Sequence, residues 1–190
     1  MKSHPIIKEL SLADLDGVPF KDFNRYQEVT KCWRNEDGTW RLKDVVFTEN
    51  WNAGQYRFLV ECLRKTVQTG GTVYGAFDQG KLIGFASLEG GFLGARKDYL
   101  QLSSLHVSCE HRGHGIGKIL FRRIGETARR AGASKLYISA HSAAETQAFY
   151  QAMGCVDALE IQAGLVAREP CDRQLEYDLN RRPAAGSGAA

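Results

Sequence analysis

The residues best placed to do chemistry are Arg112-Gly113-His114-Gly115-Ile116-Gly117-Lys118, a glycine-rich run between a β-rich segment and an amphipathic one. Glycines let successive backbone N–H groups converge without interference from Cβ atoms, and a helix N-terminus adds a partial positive charge. Together they make an anion site suited to a pyrophosphate, with Lys118, Arg122 and Arg123 adding charge nearby. Two better-known phosphate motifs do not fit. A Walker loop requires Gly-x4-Gly-Lys-Ser/Thr, but Arg112 stands at the first glycine position and Ile119 follows the lysine. The dinucleotide fingerprint requires GxGxxG, and here the third glycine comes one residue early.

Other groupings are weaker. His106, Cys109, His111 and His114 could each bind zinc, but His-x2-Cys-x-His-x2-His spreads the ligands over a strand end, a turn and a helix start. No second cluster supports it, so no metal is expected. Arg122, Arg123, Arg129 and Arg130 read as a solvated helix face. A formal charge of +3 over 190 residues does not argue for a nucleic-acid surface. The five cysteines show no CxxC pair and no disulfide spacing, as in a reduced cytoplasmic protein. No apolar run reaches the roughly 18–20 residues of a spanning helix, and the N-terminus lacks a signal-peptide pattern.

The elements that must position the glycine run follow from periodicity. Asp37-Gly38, between Trp33 and Trp40, predicts a hairpin. Phe58, Leu59, Cys62, Leu63 and Val67 form a helical stripe over 51–68, ended by Gly70-Gly71. Segment 11–28 is polar and aromatic, with Gly17 and Pro19 breaking any long helix. Residues 72–89 read as two strands around Asp78-Gln79-Gly80, and 98–108 as a third. Ile116, Ile119, Leu120, Ile124 and Ala128 fall at helical spacing with Gly132 as stop. A strand at 134–140, a short helix at 143–154 and two strands, Cys155–Ile161 and Arg173–Leu179, complete the pattern. This order predicts a mixed sheet with helices on it, an α/β or α+β domain.

Val107 through Gly117 resembles the R-x-x-G-x-G/A motif of the GNAT acetyltransferases, with its preceding strand and following helix. Residues 135–155 resemble the family's strand–helix segment ending in Tyr-x-x-x-Gly-Phe, here Tyr150-x-x-x-Gly154-Cys155. The resemblance covers about residues 72–180. It implies a twisted mixed sheet with an acetyl-CoA cleft between splayed central strands. It also implies that Leu105, His106 and Val107 offer backbone groups to the acetyl carbonyl and pantetheine, and that Arg112, Gly113, His114, Gly115, Ile116, Gly117 and Lys118 hold the pyrophosphate. Tyr150 matches the family tyrosine that protonates the leaving thiolate, a task for a phenol that keeps its proton at neutral pH.

There are departures. The family's asparagine seven residues before the tyrosine is Ala143, which leaves Ser142 as the substitute contact. The glutamate some members carry four residues before the Leu105 position is Gln101, and an amide is no base. Glu89 and His106 remain as base candidates, beside a water chain or an acceptor that arrives neutral. Arg25, Tyr26, Glu28, Trp33 and Trp40 are candidates for the acceptor wall, since aromatic faces and a carboxylate suit a cationic amine.

The resulting expectation is one domain over 1–180, divided into a variable acceptor-side region (1–71) and a cofactor-binding core (72–180), with a flexible tail at 181–190. Its expected activity is acetyl transfer from acetyl-CoA to the primary amine of a small metabolite or antibiotic-like molecule, through a tetrahedral intermediate. A non-catalytic acyl-CoA sensor on the same fold is the alternative. Neither nucleic acid nor membrane is an expected partner, and related domains often pair as homodimers.

Overall fold

Asp37-Gly38 and Gln79-Gly80 each adopt positive φ at both residues, +51° and +84° in the first and +49° and +78° in the second. That conformation matches the twist of two antiparallel strands, so each pair closes a two-residue hairpin. The computed structural model describes residues 5–17 and 20–180. Pro19 and the tail expected to be flexible at 181–190 lie outside the described residues.

The elements run β1 (Ile6–Glu9), α1 (Leu12–Asp16), β2 (Gln27–Glu36), β3 (Thr39–Glu49), α2 (Ala53–Gln68), β4 (Thr72–Asp78), β5 (Lys81–Leu93), β6 (Tyr99–Val107), α3 (Ile116–Arg130), β7 (Lys135–Ala140), α4 (Ala144–Met153), β8 (Val156–Asp157), α5 (Ala163–Arg168) and β9 (Arg173–Asp178). Seven strands form one sheet in the order β1-β4-β5-β6-β7-β9-β8, while β2 and β3 pair separately. Neighbours in the large sheet are antiparallel except β6 and β7. The mixed sheet flanked by helices is the expected architecture.

Helices cover both faces. Leu120, Ile124 and Ala128 of α3 are fully buried against Ile83, Leu100 and Leu136 of the sheet. On the other face Leu15, Phe20, Phe23, Leu59 and Leu63 pack on Val73 and Phe85. Burying a side chain of this size contributes about 1.5–3 kcal/mol. Helices α1 and α2 open with capping boxes, Ser11 with Asp14 and Asn52 with Gln55.

Several details differ from expectation. β1 is an additional strand of four residues, too short for periodicity to reveal. In α2 the buried stripe is Leu59, Leu63 and Thr66, whereas Phe58 and Cys62 face outward. The apolar residues flank the stripe on both sides, and packing selects the 59–63–66 line. Ile119 is likewise partly exposed on α3. The strand expected over Cys155–Ile161 shortens to Val156–Asp157. There the Leu159 N–H turns to the Glu176 carboxylate and the Glu160 carboxylate accepts from the Ala95 N–H, so the chain leaves the ladder and enters α5.

Candidate active site

The glycine turn follows a tightly fastened bend. Ser108 N–H donates to Ile83 O and Cys109 N–H to Asn24 O, holding the end of β6 and a 3-10 turn at Cys109–His111. Arg112 folds back so that Nε donates to Val107 O at 3.1 Å. Gly113 and Gly115 then take φ of +76° and +81°, the left-handed region, with open space where a Cβ would sit. Unlike α1 and α2, α3 begins without a side-chain cap. Its first amide N–H groups therefore have no side-chain acceptor, and they adjoin a cavity of about 1070 Å³. Arg112, Gly113, Gly115, Ile116, Gly117 and Lys118 line that cavity. His114 is exposed and does not line it. A Cβ at Gly117 would come within 3.2 Å of the Phe149 ring, so this glycine lets α3 approach α4.

The cavity exists because two strands part. β6 pairs with β7 only at Tyr99↔Lys135, Leu100↔Leu136 and Gln101↔Tyr137. Beyond that, β7 stays on β9 as far as Ala140↔Arg173, while β6 stays on β5 as far as Val107↔Gly84. Ser87 pairs with Ser104 and Leu88 with Leu102, so Ser103 is the extra residue of a bulge in β6. Bulges bend and twist a strand, and this one lies where β6 leaves β7. Leu105, His106 and Val107 thus keep one backbone edge unpaired by β7 and line the cavity. Such an edge can accept an extended amide chain in strand-like fashion.

Tyr150 enters from α4. It lines the cavity while only 7% exposed, with its ring against Phe149 and Phe121. Burial above all, then the charges of Cys155 and Asp172, pushes its phenol pKa well above the usual value. The hydroxyl makes no hydrogen bond among the described residues, so its retained proton is available to a ligand. Gly154, at φ +90°, ends the helix.

The third wall is the root of the β2–β3 hairpin. Arg25, Tyr26, Gln27 and Glu28 line the cavity. Arg25 is buried, donates Nη2 to Glu49 Oε2 at 2.7 Å and Nη1 to Gln27 Oε1 at 3.1 Å, and stacks over Trp51. Trp51 meets the His106 ring edge-on at 5.0 Å. Burial, reinforced by Arg25, Arg112 and His141, pushes the His106 pKa down to about 3. The imidazole is neutral at physiological pH and a poor proton acceptor. Tyr26 donates its hydroxyl to the exposed Glu28 at 2.7 Å.

Four further sequence candidates stand outside the cavity. Glu89 accepts from Thr66 and Ser103, which hold it against α2. Ser142 is buried, its Oγ accepting from Arg34 and its carbonyl from the Trp33 N–H. Those bonds and the Cys32–Ala143 bridge bind the hairpin to the loop before α4. Trp33 and Trp40 lie against the Arg173 guanidinium, which is itself paired with Asp157. They fasten the hairpin to the sheet edge. Among the described residues no three His, Cys, Asp or Glu side chains converge as a metal centre requires, and no helix is long and apolar enough to cross a membrane.

Sequence reasoning missed His141 and Glu49. His141 lines the cavity immediately after β7, and its Nε2 lies 3.5 Å from Glu49 Oε1. The rule that ligands gather beyond the carboxyl ends of parallel strands points to His141. Glu49 carries no local signal.

Residues 27–155 match the sequence model of the acetyltransferase (GNAT) family. No curated protein matches the chain. Among solved structures, nourseothricin acetyltransferase is similar with a TM-score of 0.67 and 19% identity, covering 92% of this chain and 96% of that one. A Bacillus anthracis protein assigned as a streptothricin acetyltransferase, holding acetyl coenzyme A, matches with a TM-score of 0.67, 15% identity and the same coverage. An aminoglycoside 6'-N-acetyltransferase with coenzyme A matches at 0.52 and 16% identity, over 70% of this chain and 84% of that one. At these identities the likeness shows the fold.

Proposed function

The chain belongs to the acetyltransferase (GNAT) family, with acetyl-CoA as cosubstrate, and from that premise we propose that its acceptor is the primary amine of a small, antibiotic-like molecule or metabolite. The observation that carries this reading is the shared cavity: uncapped α3 amides, the open β6 edge, the protonated Tyr150 phenol and the hairpin root all border one space. Acetyl-CoA supplies an acetyl thioester. In this reading the amides of Gly113 through Lys118, with the end of Arg112, cradle the pyrophosphate. The backbone of Leu105, His106 and Val107 pairs with the pantetheine and aims an N–H at the acetyl oxygen. One such donor is typically worth about 3–4 kcal/mol of barrier. Tyr150 gives its proton to the departing sulfur.

The acceptor approaches between the hairpin root and β7, beside Arg25, Tyr26 and Glu28. The side chains of His114, Ser142, Trp33 and Glu89 take no part in this scheme, being turned away from the cavity or held elsewhere. The names of the similar folds, nourseothricin and aminoglycoside acetyltransferases, support an amine-bearing antibiotic as acceptor class. The five free cysteines accord with a reducing, cytoplasmic setting.

Calorimetry with acetyl-CoA on wild type and Gly115→Glu, followed by an amine panel with thiol-release detection, tests the reading. Binding lost in the variant and turnover on a small-molecule amine are expected. Binding without turnover on any amine would favour a non-catalytic acyl-CoA sensor.

A further inference from the structure

We propose that Glu49 is the carboxylate that receives the acceptor's ammonium group and takes its proton before transfer, an inference that rests on the amine-acetylation reading above. The residues that the sequence offered as bases do not serve. Glu89 already accepts from Thr66 and Ser103 and touches neither Arg25 nor His141, and His106 is a poor proton acceptor in its buried setting.

Glu49 ends β3, paired with Gln27 at the hairpin root. It does not itself line the cavity but touches two residues that do: Oε2 accepts from Arg25 at 2.7 Å, and Oε1 lies 3.5 Å from His141 Nε2. His141 Nδ1 accepts the Ala143 N–H at 3.2 Å, so the neutral ring carries its proton on Nε2, towards Glu49. The Arg25 hydrogen bond fixes the carboxylate's orientation, and Oε1, which His141 approaches without a hydrogen bond, retains lone-pair capacity for an incoming N–H. The side chain keeps 24% of its surface open. Through Arg25 and Trp51 the same cluster touches His106, on the strand whose free edge faces the cleft.

The remaining carboxylates are less suited. Glu28 is exposed and already accepts from Tyr26, and Glu145 is exposed on α4. Asp172 already accepts from Ser139 and makes no contact with Arg25 or Tyr26 of the hairpin root. The charged or titratable groups around Glu49 are Arg25, His141, Arg112 and Asp172.

The ammonium R–NH3+ passes one proton to Glu49, which releases it to solvent, and the free amine attacks the acetyl carbon. As the C–N bond forms and the C–S bond breaks, sulfur takes the Tyr150 proton. The second proton on nitrogen, released as the amide forms, restores the phenol. The products are the N-acetyl amide, the free thiol of coenzyme A and one proton.

The test compares wild type, Glu49→Gln and Glu49→Asp on the panel's best amine at saturating acetyl-CoA, between pH 7.5 and 9.5. At pH 7.5 Glu49→Gln lowers kcat/KM for the amine by about 100-fold, the scale of general-base catalysis. For a primary amine with pKa of about 10.4, the neutral fraction rises from about 0.1% at pH 7.5 to about 11% at pH 9.5. The deficit therefore shrinks below about tenfold at pH 9.5. Acetyl-CoA affinity, measured by calorimetry, stays within about threefold and reports an intact fold. If Glu49→Gln loses that binding, Glu49→Asp, which keeps a charge beside Arg25, carries the same pH comparison. A deficit constant across pH overturns proton transfer, and wild-type rates in the variant overturn the whole assignment. Absence of any amine turnover in wild type instead overturns the functional reading, and the proposal with it.

Discussion

The side-chain amide of Gln147 donates to the carbonyl of Ala140 at 3.2 Å, fastening α4 to the end of β7 where the cleft is open. The same amide donates to the His141 carbonyl at 2.9 Å. Gln147 is 6% exposed and Ala140 1%, so the bond between them is sheltered from water. The two bonds hold Tyr150, one turn further along α4, at a fixed distance from the strand edge.

Replacing Gln147 with leucine keeps the volume and removes both bonds. The buried Ala140 carbonyl and the part-buried His141 carbonyl then lose this donor, at about 1–3 kcal/mol for the buried one. Denaturant unfolding should show a loss of about 2 kcal/mol or more. Turnover should fall more than acetyl-CoA affinity, because the displaced group is Tyr150 rather than the glycine turn. Thiol-release kinetics beside calorimetry separates the two.

Tyr150→Phe should lower kcat by about 100-fold while leaving the KM for acetyl-CoA nearly unchanged, as expected for removing a general acid. It also has an alkaline signature in stability. The folded phenol pKa lies above its ordinary value of 10.0, so the native state keeps a proton that the unfolded chain releases. Stability is fully present below pH 10 and falls as pH rises beyond it. Tyr56, Tyr99 and Tyr137 shift in the same direction. Denaturation midpoints between pH 9 and 11 should therefore fall less steeply in Tyr150→Phe than in wild type, without becoming flat.

How much of this was legible in the sequence depends on whether a feature is local. The hairpin turns at Asp37-Gly38 and Gln79-Gly80 and the glycine turn before α3 are each dictated by a few adjacent residues whose backbone demands glycine. Tyr150 stands out through the resemblance of its Tyr-x-x-x-Gly ending to the family's, and it lines the cavity. The proposed acceptor wall is different in kind: Arg25 was a sequence candidate, but its partners were not. Arg25, Glu49 and His141 come from three distant segments and meet only because the hairpin folds over the end of β7. Trp33 and Trp40 looked like ligand-facing aromatics, yet Arg173, 133 positions beyond Trp40, claims both rings. Spacing within one segment carries no information about such partners.

Gly115→Ala isolates the backbone's role in the glycine turn. Nothing lies within 4 Å of the added Cβ, so no side chain is displaced. The cost is the left-handed φ of +81°, about 1–2 kcal/mol for a residue with a Cβ. If the turn relaxes to avoid it, the α3 amides rotate. Acetyl-CoA affinity should then fall by about tenfold, the equivalent of about 1.4 kcal/mol. Gly132→Ala is the control, because that glycine has φ of +97° and equally open surroundings but ends α3 away from the cavity. It should cost stability and leave acetyl-CoA binding unchanged.

His106 offers a test at the acid end. Its folded pKa of about 3 lies below the ordinary 6.5, chiefly through burial. The neutral ring contributes stability that is present above pH 6.5 and lost as pH falls towards 3, since the unfolded chain takes up the proton first. His106→Phe should abolish this part of the acid sensitivity. It keeps a ring between Trp51 and Phe85, which pack on the imidazole at 5.0 and 5.2 Å. Unfolding midpoints at pH 7.5 and pH 5 measure the effect: wild type should lose more stability between them than the variant. Turnover gives the complementary reading. A histidine that stays neutral throughout pH 6–9 imposes no limb on the rate profile there, so wild type and His106→Phe should trace parallel curves. An ascending limb present in wild type and missing from the variant would return His106 to the role of base.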